Sequence, residues 1–175
     1  MKRICVALLT LVCLGLIVAD SSARTLELEP AKVAVISPSD NSNTSELLMK
    51  FAMPEVLSGH SVDFANLTFQ ANCGGQEDAV VLQAFALTRD WDEETVSWTM
   101  PWQTRGGDCN KRSSAHCISE KGCREPLQFD LTDVVNGWLE EPSKNFGVLV
   151  KVSGPFSGGL STDKSQGSPK LSILY

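Results

Sequence analysis

Apolar and polar residues alternate along most of this chain, in short runs that turn-forming residues separate. In the clearest run, Leu47, Met49, Phe51 and Met53 alternate with other residues before Pro54. A period of two places successive side chains on opposite faces of a β-strand. Similar patterns predict further strands at 33–36, 66–71, 79–88, 146–152 and 171–175. The run at 79–88 is apolar on both faces, as in a central strand that is covered on both sides.

One segment, FDLTDVVNGWLEEP, has helical rather than strand periodicity. Its apolar residues share one helical face: Val134, Val135, Trp138 and Leu139. Asp130 or Thr132 is suited to cap the start of this helix, and Pro142 lies just beyond its end. With about eight short strands at fairly regular spacing, the pattern predicts an all-β, jelly-roll-like β-sandwich with one short helix packed on it.

The first 23 residues have the features of a secretory signal peptide. Lys2 and Arg3 precede an apolar run from Ile4 to Ala19, and Ser21-Ser22-Ala23 supplies the small residues of a cleavage site. A signal anchor is the competing interpretation, but the run is short for a membrane span, so no membrane insertion is expected. We therefore predict a secreted, extracellular protein with a single domain at residues 24–175.

The net charge of the mature chain argues against one class of binding partner. Removing Lys2, Arg3 and Asp20 leaves 13 basic and 20 acidic residues, a net charge of −7. Nucleic acid is therefore not an expected partner.

Four cysteines remain after cleavage: Cys73, Cys109, Cys117 and Cys123. An even number in an exported chain predicts two disulfides, with three connectivities open. A zinc site formed with His116 is the alternative, although the spacing matches no familiar zinc motif. No cofactor is predicted, although a structural calcium near Asp40 or Asp163 would suit a sandwich domain.

Two sequons, at Asn43 and Asn66, predict N-glycosylation if the source is eukaryotic.

The stretch from Met100 to Pro126 has no clear periodicity and is predicted to be a long loop ordered by disulfides. Its charge is +2, whereas the rest of the mature chain carries −9. Trp102 stands at its start, outside any pattern that would bury it. Exposed aromatic rings stack on sugars, and cationic groups bind uronate or sulfate. The predicted ligand-binding residues are therefore Trp102, Arg105, Lys111 and Arg112, and the alternative is a surface loop with incidental charge.

The segment WDEETVSW has the residue types of a glycosidase site but a different predicted role. Asp92, Glu93 and Glu94 crowd a short turn, where carboxylates are solvated. A glycosidase instead needs two carboxyl groups that face each other across the scissile glycosidic bond. The tryptophans of this region and of the helix are predicted to pack in the core: Trp91, Trp98 and Trp138. No nucleophile, phosphate-binding or metalloprotease motif is present, so no catalytic residue is predicted.

An ordered set of motifs resembles the DNRLRE domain, also described as carbohydrate-binding module family 96, an alginate-binding type of module. The motifs are LLMKFAMP, ANLTF, W-x-E-x-T-V-x-W with the following proline, FDLTDVVNGWL, NFGVLV and SPKLSILY, over roughly residues 46–175. The resemblance implies a non-catalytic β-sandwich of secreted or surface proteins. The chain departs from the family pattern near its start and in the cysteine-rich stretch from Trp102 to Arg124, so ligand specificity is not carried over.

Together these observations predict a non-enzymatic protein that binds an extracellular polysaccharide, with an acidic one such as alginate as a candidate. The alternative is a secreted structural or adhesive matrix protein that binds other proteins. A small polysaccharide lyase or hydrolase is a third hypothesis. Retention on polysaccharides, capture of a protein partner and release of sugar ends would distinguish these three classes.

Overall fold

The computed structural model describes residues 23–39, 45–70, 79–112, 114–119, 126–153 and 167–175. Within these ranges, nine strands form two antiparallel sheets, and the chain also contains one α-helix. The strands are β1 (Thr25–Leu28), β2 (Lys32–Ile36), β3 (Glu46–Lys50), β4 (Phe64–Phe69), β5 (Val80–Ala86), β6 (Ala115–Ser119), β7 (Leu127–Asp130), β8 (Val148–Ser153) and β9 (Lys170–Leu174). The helix α1 spans Thr132–Glu140. The predicted all-β sandwich with one short helix is confirmed, whereas the predicted signal peptide lies outside the described residues except for Ala23.

The strand order is that of a jelly roll. One sheet has the order β1-β9-β4-β7 and the other β2-β3-β8-β5-β6. When β2 is set aside as an added edge strand, each sheet holds four strands. Among these eight, only β5 and β6 are both consecutive and paired, and the chain otherwise crosses between the sheets at every step. Such double-sheet crossing connections define the jelly roll.

The main core lies between the two sheets and follows the period-two pattern. On β4, Ala65, Leu67 and Phe69 point inward and are at most 2% exposed. Phe69 stacks on Phe129 of the neighbouring strand β7, with ring centroids 5.8 Å apart. Burial of each large apolar side chain contributes about 1.5–3 kcal/mol to the free energy of folding, so the main core between the sheets provides most of the driving force for folding.

Helix α1 closes one end of the core. Val135 and Trp138 are buried there, as the helical periodicity predicts. The Asp130 carboxylate accepts a hydrogen bond from the backbone N–H of Thr132 over 3.0 Å, which satisfies one free donor of the first turn. The Thr132 hydroxyl accepts the backbone N–H of Ala65 over 3.0 Å and ties the helix to β4.

The prediction of an irregular loop from Met100 to Pro126 was wrong in its middle. Residues 115–119 form β6, which pairs with β5 so that Gln83 lies opposite His116. The sequence AHCIS has too few apolar residues to signal a strand by itself, and its pairing with β5 decides its conformation. No helix in the described part of the chain is long and apolar enough to cross a membrane.

Candidate functional site

Residues 88–109, here called the covering segment, pack on the outer face of the five-stranded sheet. They join a second hydrophobic cluster that is separate from the main core. Its buried members are Ile36, Leu48, Leu87, Trp91, Trp102 and Leu149. Strand β3 is therefore buried on both faces, since Leu48 contacts this cluster while Leu47 and Met49 contact the main core.

Two lysines of the sheet hold the first part of the covering segment. Lys50 forms an ion pair with Asp90 at 2.8 Å, and this hydrogen bond lowers the pKa of Asp90 below its usual value. Lys32 donates a hydrogen bond to the backbone carbonyl of Trp91 over 3.2 Å. These contacts place the acidic turn beside the edge of the sheet.

The turn carboxylates are exposed, as the sequence predicts for Asp92, Glu93 and Glu94. Asp92 accepts the backbone N–H of Glu94 over 3.0 Å and so stabilises the turn. Glu93 accepts the backbone N–H of Val33 over 3.4 Å, which joins the turn to β2. The geometry gives these carboxylates a structural role.

The prediction that Trp102 is an exposed ligand-binding ring was wrong. Trp102 is 8% exposed, packs in the second hydrophobic cluster and donates its indole N–H to the Ser97 carbonyl over 2.9 Å. Trp102 is buried by a tertiary contact, because the covering segment folds back onto the sheet. This contact forms a second core that no periodic pattern in the sequence predicts.

The other tryptophans pack largely as predicted. Trp91 is buried in the second cluster and Trp138 in the main core. Trp98 is half-buried and packs against the second cluster. Its ring contacts Gly106, where a Cβ atom would lie 2.9 Å from the ring and where φ is +84°. Both conditions favour glycine at that position.

A groove lies between α1 and the polypeptide that joins β5 to β6. Its volume is about 930 Å³, and a smaller cavity of about 300 Å³ continues it past Ser114, Asp133 and Val134. Its apolar lining consists of the half-buried Val134 and Phe146, with the largely buried Leu87 and Trp138 beneath. Its volume lies within the range of ligand sites.

Two of the four predicted ligand-binding residues, Lys111 and Arg112, line this groove. Trp102 and Arg105 do not line either of the two cavities, although Arg105 is exposed as expected. The helix side of the groove carries Asp133 of α1 together with Glu141 and Lys144, which lie just beyond the end of the helix. The groove is therefore lined by cationic groups and by carboxylates.

The helical side of the groove was missed from sequence, although a signal for it exists. Asp133 and Gly137 are four residues apart and share a face of α1 that is polar rather than apolar, and Glu141 follows at the same interval just beyond the helix end. Glu141 also forms an ion pair with Lys144 at 2.7 Å. A polar helical face is more often simply solvated, so the signal is weak without the facing loop.

Asp108 fixes the polypeptide just before Asn110 and Lys111. It forms an ion pair with Arg89 at 2.7 Å and accepts the backbone N–H groups of Gln103 and Thr104. Desolvation acts to raise the pKa of Asp108, but these hydrogen bonds outweigh it and hold the pKa below its usual value. The loop entering the groove is thus anchored by one buried carboxylate.

A second charged pair lies under the covering segment. The Glu46 side chain is 10% exposed, and its Oε1 atom lies 3.4 Å from the Lys151 ammonium. Its Oε2 atom is buried and has no hydrogen-bond partner. Burial raises the pKa of Glu46 to about 7, although Lys151 opposes this shift. Sequence reasoning missed this residue, for which the one signal is a glutamate at the start of an apolar strand.

The cysteine prediction is not confirmed. Cys109 and Cys117 are free thiols in the structure, while Cys73 and Cys123 lie outside the described residues. Cys109 pairs with Leu87 and Cys117 with Leu82. Five residues of strand separate these partners by about 17 Å, far beyond the limit for a disulfide. The connectivity that joins Cys109 to Cys117 is therefore excluded.

The described ranges contain no group of three or more residues that could hold a metal ion. Of the ligands in the alternative zinc interpretation, Cys123 lies outside these ranges, as do Asp40 and Asp163, the residues suggested for calcium. The sequon at Asn43 is likewise outside them. Asn66 is half-buried on the outward face of β4 and donates to the Thr68 hydroxyl over 3.2 Å.

Neither models of known protein families nor curated protein sequences match this chain at a significant level. The chain folds as a jelly-roll sandwich with a groove beside α1. Its resemblance to the DNRLRE domain stays a prediction.

Proposed function

We propose that this protein binds an extracellular polysaccharide without cleaving it, and that the groove beside α1 holds the sugar chain. The observation that carries this proposal is the composition of the groove. Its half-buried apolar side chains, Val134 and Phe146, lie among polar and charged lining residues. Sugars present apolar C–H faces and a rim of hydroxyl groups, and this combination of surfaces matches both.

The charged side chains that line the groove can form hydrogen bonds with the hydroxyl and carboxylate groups of a sugar chain. The Asp133 and Glu141 carboxylates accept hydrogen bonds from hydroxyl groups, whereas Lys111 and Arg112 donate to hydroxyl or carboxylate oxygens. An acidic chain such as alginate is the candidate in which the two cations contribute most. The net charge of −7 opposes long-range attraction of such a chain.

Binding rather than hydrolysis is supported by Asp130, a carboxyl group of the smaller cavity. A general acid in a glycosidase needs a raised pKa. In the smaller cavity, hydrogen bonds from the Thr132 side chain and backbone lower the pKa of Asp130 instead. Among the described residues, the carboxyl group whose pKa is raised is that of Glu46, which lines neither of the two cavities.

The test is affinity electrophoresis in gels that contain alginate or a neutral glucan. We expect retention in at least one gel, and Arg112→Gln together with Lys111→Gln should reduce it about tenfold or more. Arg105→Gln is the control matched to the single Arg112→Gln variant, because each removes one positive charge and Arg105 is exposed outside the groove. For alginate, salt should weaken retention.

The opposite result is equally clear. If the folded protein is retained on no polysaccharide, or if Arg105→Gln weakens retention as much as the groove variants do, the proposal fails. Release of reducing ends or unsaturated uronates would establish the enzymatic alternative instead.

One observation favours the matrix-protein alternative. Among the described strands, β6 is an edge strand of the five-stranded sheet, and Ile118 on it is 59% exposed. An exposed edge with an apolar side chain can pair with a strand of another protein. Capture of a secreted protein that Ile118→Lys abolishes, without polysaccharide retention, would support this role.

A further inference from the structure

The Glu46 carboxylate is enclosed by the sheet and the covering segment. Gly106 lies directly against it, since a Cβ atom there would be 3.3 Å from Glu46 Oε2 and 2.9 Å from the Trp98 ring. The backbone N–H of Gly106 donates to the Trp98 carbonyl over 2.8 Å, which holds this part of the segment closed. Closure therefore leaves the Oε2 atom without a hydrogen-bond partner.

The charged and titratable groups around Glu46 come from several elements. Lys151 of β8 contacts Glu46, donates to the Gly106 carbonyl over 3.4 Å and lies 5.9 Å from the centroid of the Phe85 ring. The other such groups are the Cys109 thiol and the Arg89–Asp108 ion pair, which belong to the covering segment, and His116 of β6. His116 stands in register with Gln83, which in turn stands in register with Lys151. On β2, the residue opposite Glu46 is the apolar Ile36.

We propose that loss of the Glu46 proton opens the covering segment. A neutral carboxyl group tolerates the enclosed position, whereas a carboxylate with an unpartnered oxygen requires water. Lifting Gly106 and Trp98 from the sheet admits that water. The Lys151 contact to the Gly106 carbonyl then exchanges for a closer contact to the carboxylate.

The direction of the pH dependence follows from linkage. The pKa of Glu46 in the closed state is about 7, against an ordinary value of 4.5. Closure is thus fully favoured below pH 4.5 and loses its advantage as the pH rises through 7. The device operates across neutral pH.

Opening has a consequence for the groove. The covering segment continues directly into Asn110, Lys111 and Arg112, which line the groove. A loosened segment positions these side chains less well, so ligand binding should weaken above neutral pH. This consequence rests on the proposed function, whereas the opening itself does not.

Hydrogen exchange followed by NMR tests the opening. After correction for intrinsic rates, exchange of the Gly106 amide should rise up to about thirtyfold between about pH 5.5 and pH 8.5. In Glu46→Gln this amide should stay protected throughout, because the side chain cannot ionise. Glu55→Gln is the matched control for an exposed glutamate outside the covering segment, and His116→Gln tests the imidazole that lies in the same cross-strand row.

Several outcomes overturn the proposal. It fails if Glu46→Gln keeps the wild-type pH dependence or if His116→Gln abolishes it. Should Glu46→Gln not fold, the carboxyl carbon of Glu46 in the wild-type protein decides the matter. A titration near 4.5, or one whose midpoint differs from that of Gly106 exchange, contradicts the opening.

Polysaccharide retention measured at the same two pH values separates the two proposals. Normal pH-dependent exchange without retention contradicts only the proposed function. Retention with pH-independent exchange contradicts only the opening.

Discussion

The indole N–H of Trp91 donates a hydrogen bond to the backbone carbonyl of Phe146 over 3.0 Å. This bond joins the covering segment to the residues that lead into β8. The Lys32 ammonium lies 6.0 Å from the centroid of the same indole, so the ring is fixed from two sides. Trp91 therefore connects the acidic turn to the five-stranded sheet.

Replacement of Trp91 tests this connection. Trp91→Phe should lower the free energy of unfolding by about 1–2 kcal/mol, because the Phe146 carbonyl loses its donor. Trp91→Ala should lower it by about 3–5 kcal/mol, because a cavity forms in the second cluster. Urea unfolding measures both values. Phe64→Ala, at a 44% exposed position, is the control and should change stability by less than about 1 kcal/mol.

Replacing Trp102 tests whether its side chain stabilises the fold or binds the ligand. Trp102→Ala should destabilise the protein by about 3–5 kcal/mol, because the ring is only 8% exposed. The fraction that remains folded should still be retained on polysaccharide. A variant of unchanged stability that no longer binds would restore Trp102 as a ligand-binding residue.

Replacing glycine with alanine should change the stability of the protein in opposite directions at two positions. At Gly147, φ is +91° and an added Cβ would collide with the Met49 carbonyl oxygen, so Gly147→Ala should destabilise by more than about 2 kcal/mol. At Gly137, within α1, an added Cβ meets nothing within 4 Å. Gly137→Ala should stabilise by about 0.5–1 kcal/mol, since alanine favours helix. Equal effects in thermal unfolding would contradict this assignment.

Asp108→Asn should loosen the loop before the groove. The lowered pKa of Asp108 means that its carboxylate stabilises the fold above its ordinary pKa of 3.8 and ceases to do so as the pH falls through the lower folded value. The variant should therefore be about 1.5–3 kcal/mol less stable at pH 7, and the difference should disappear under strongly acidic conditions. Denaturant unfolding from pH 2 to 7 measures this profile. A difference that is independent of pH would exclude the carboxylate as its source.

The cysteines give a prediction for peptide mapping. Non-reducing digests should contain no peptide in which Cys109 is bonded to Cys117, because their strand partners are about 17 Å apart. Burial raises the pKa of the Cys109 thiol, so alkylation of Cys109 should be about tenfold slower in the folded than in the unfolded protein. Detection of the bonded peptide in native protein would contradict the register of β5 and β6.

The sequence alone determined the class of fold and much of the main core. Period-two runs predicted β3, β4 and β9, and helical spacing predicted α1 with Val135 and Trp138 buried. These predictions succeed because a strand or helix with one apolar face records its burial in its own periodicity. The solvated turn at Asp92 to Glu94 was predictable for the same reason, since it lies between such elements.

Only the tertiary structure decided the second core and the groove. Trp102 is buried because a segment without periodicity folds onto Leu48 and Leu149, and no local pattern encodes that contact. Lys111 and Arg112 line the same groove as Asp133 and Glu141, from positions more than twenty residues away in the chain. Glu46 is enclosed by Gly106, which belongs to a loop and not to a neighbouring strand. Contacts of this kind depend on how elements are brought together by the crossing connections of the jelly roll, and a periodic pattern records only the faces of single elements.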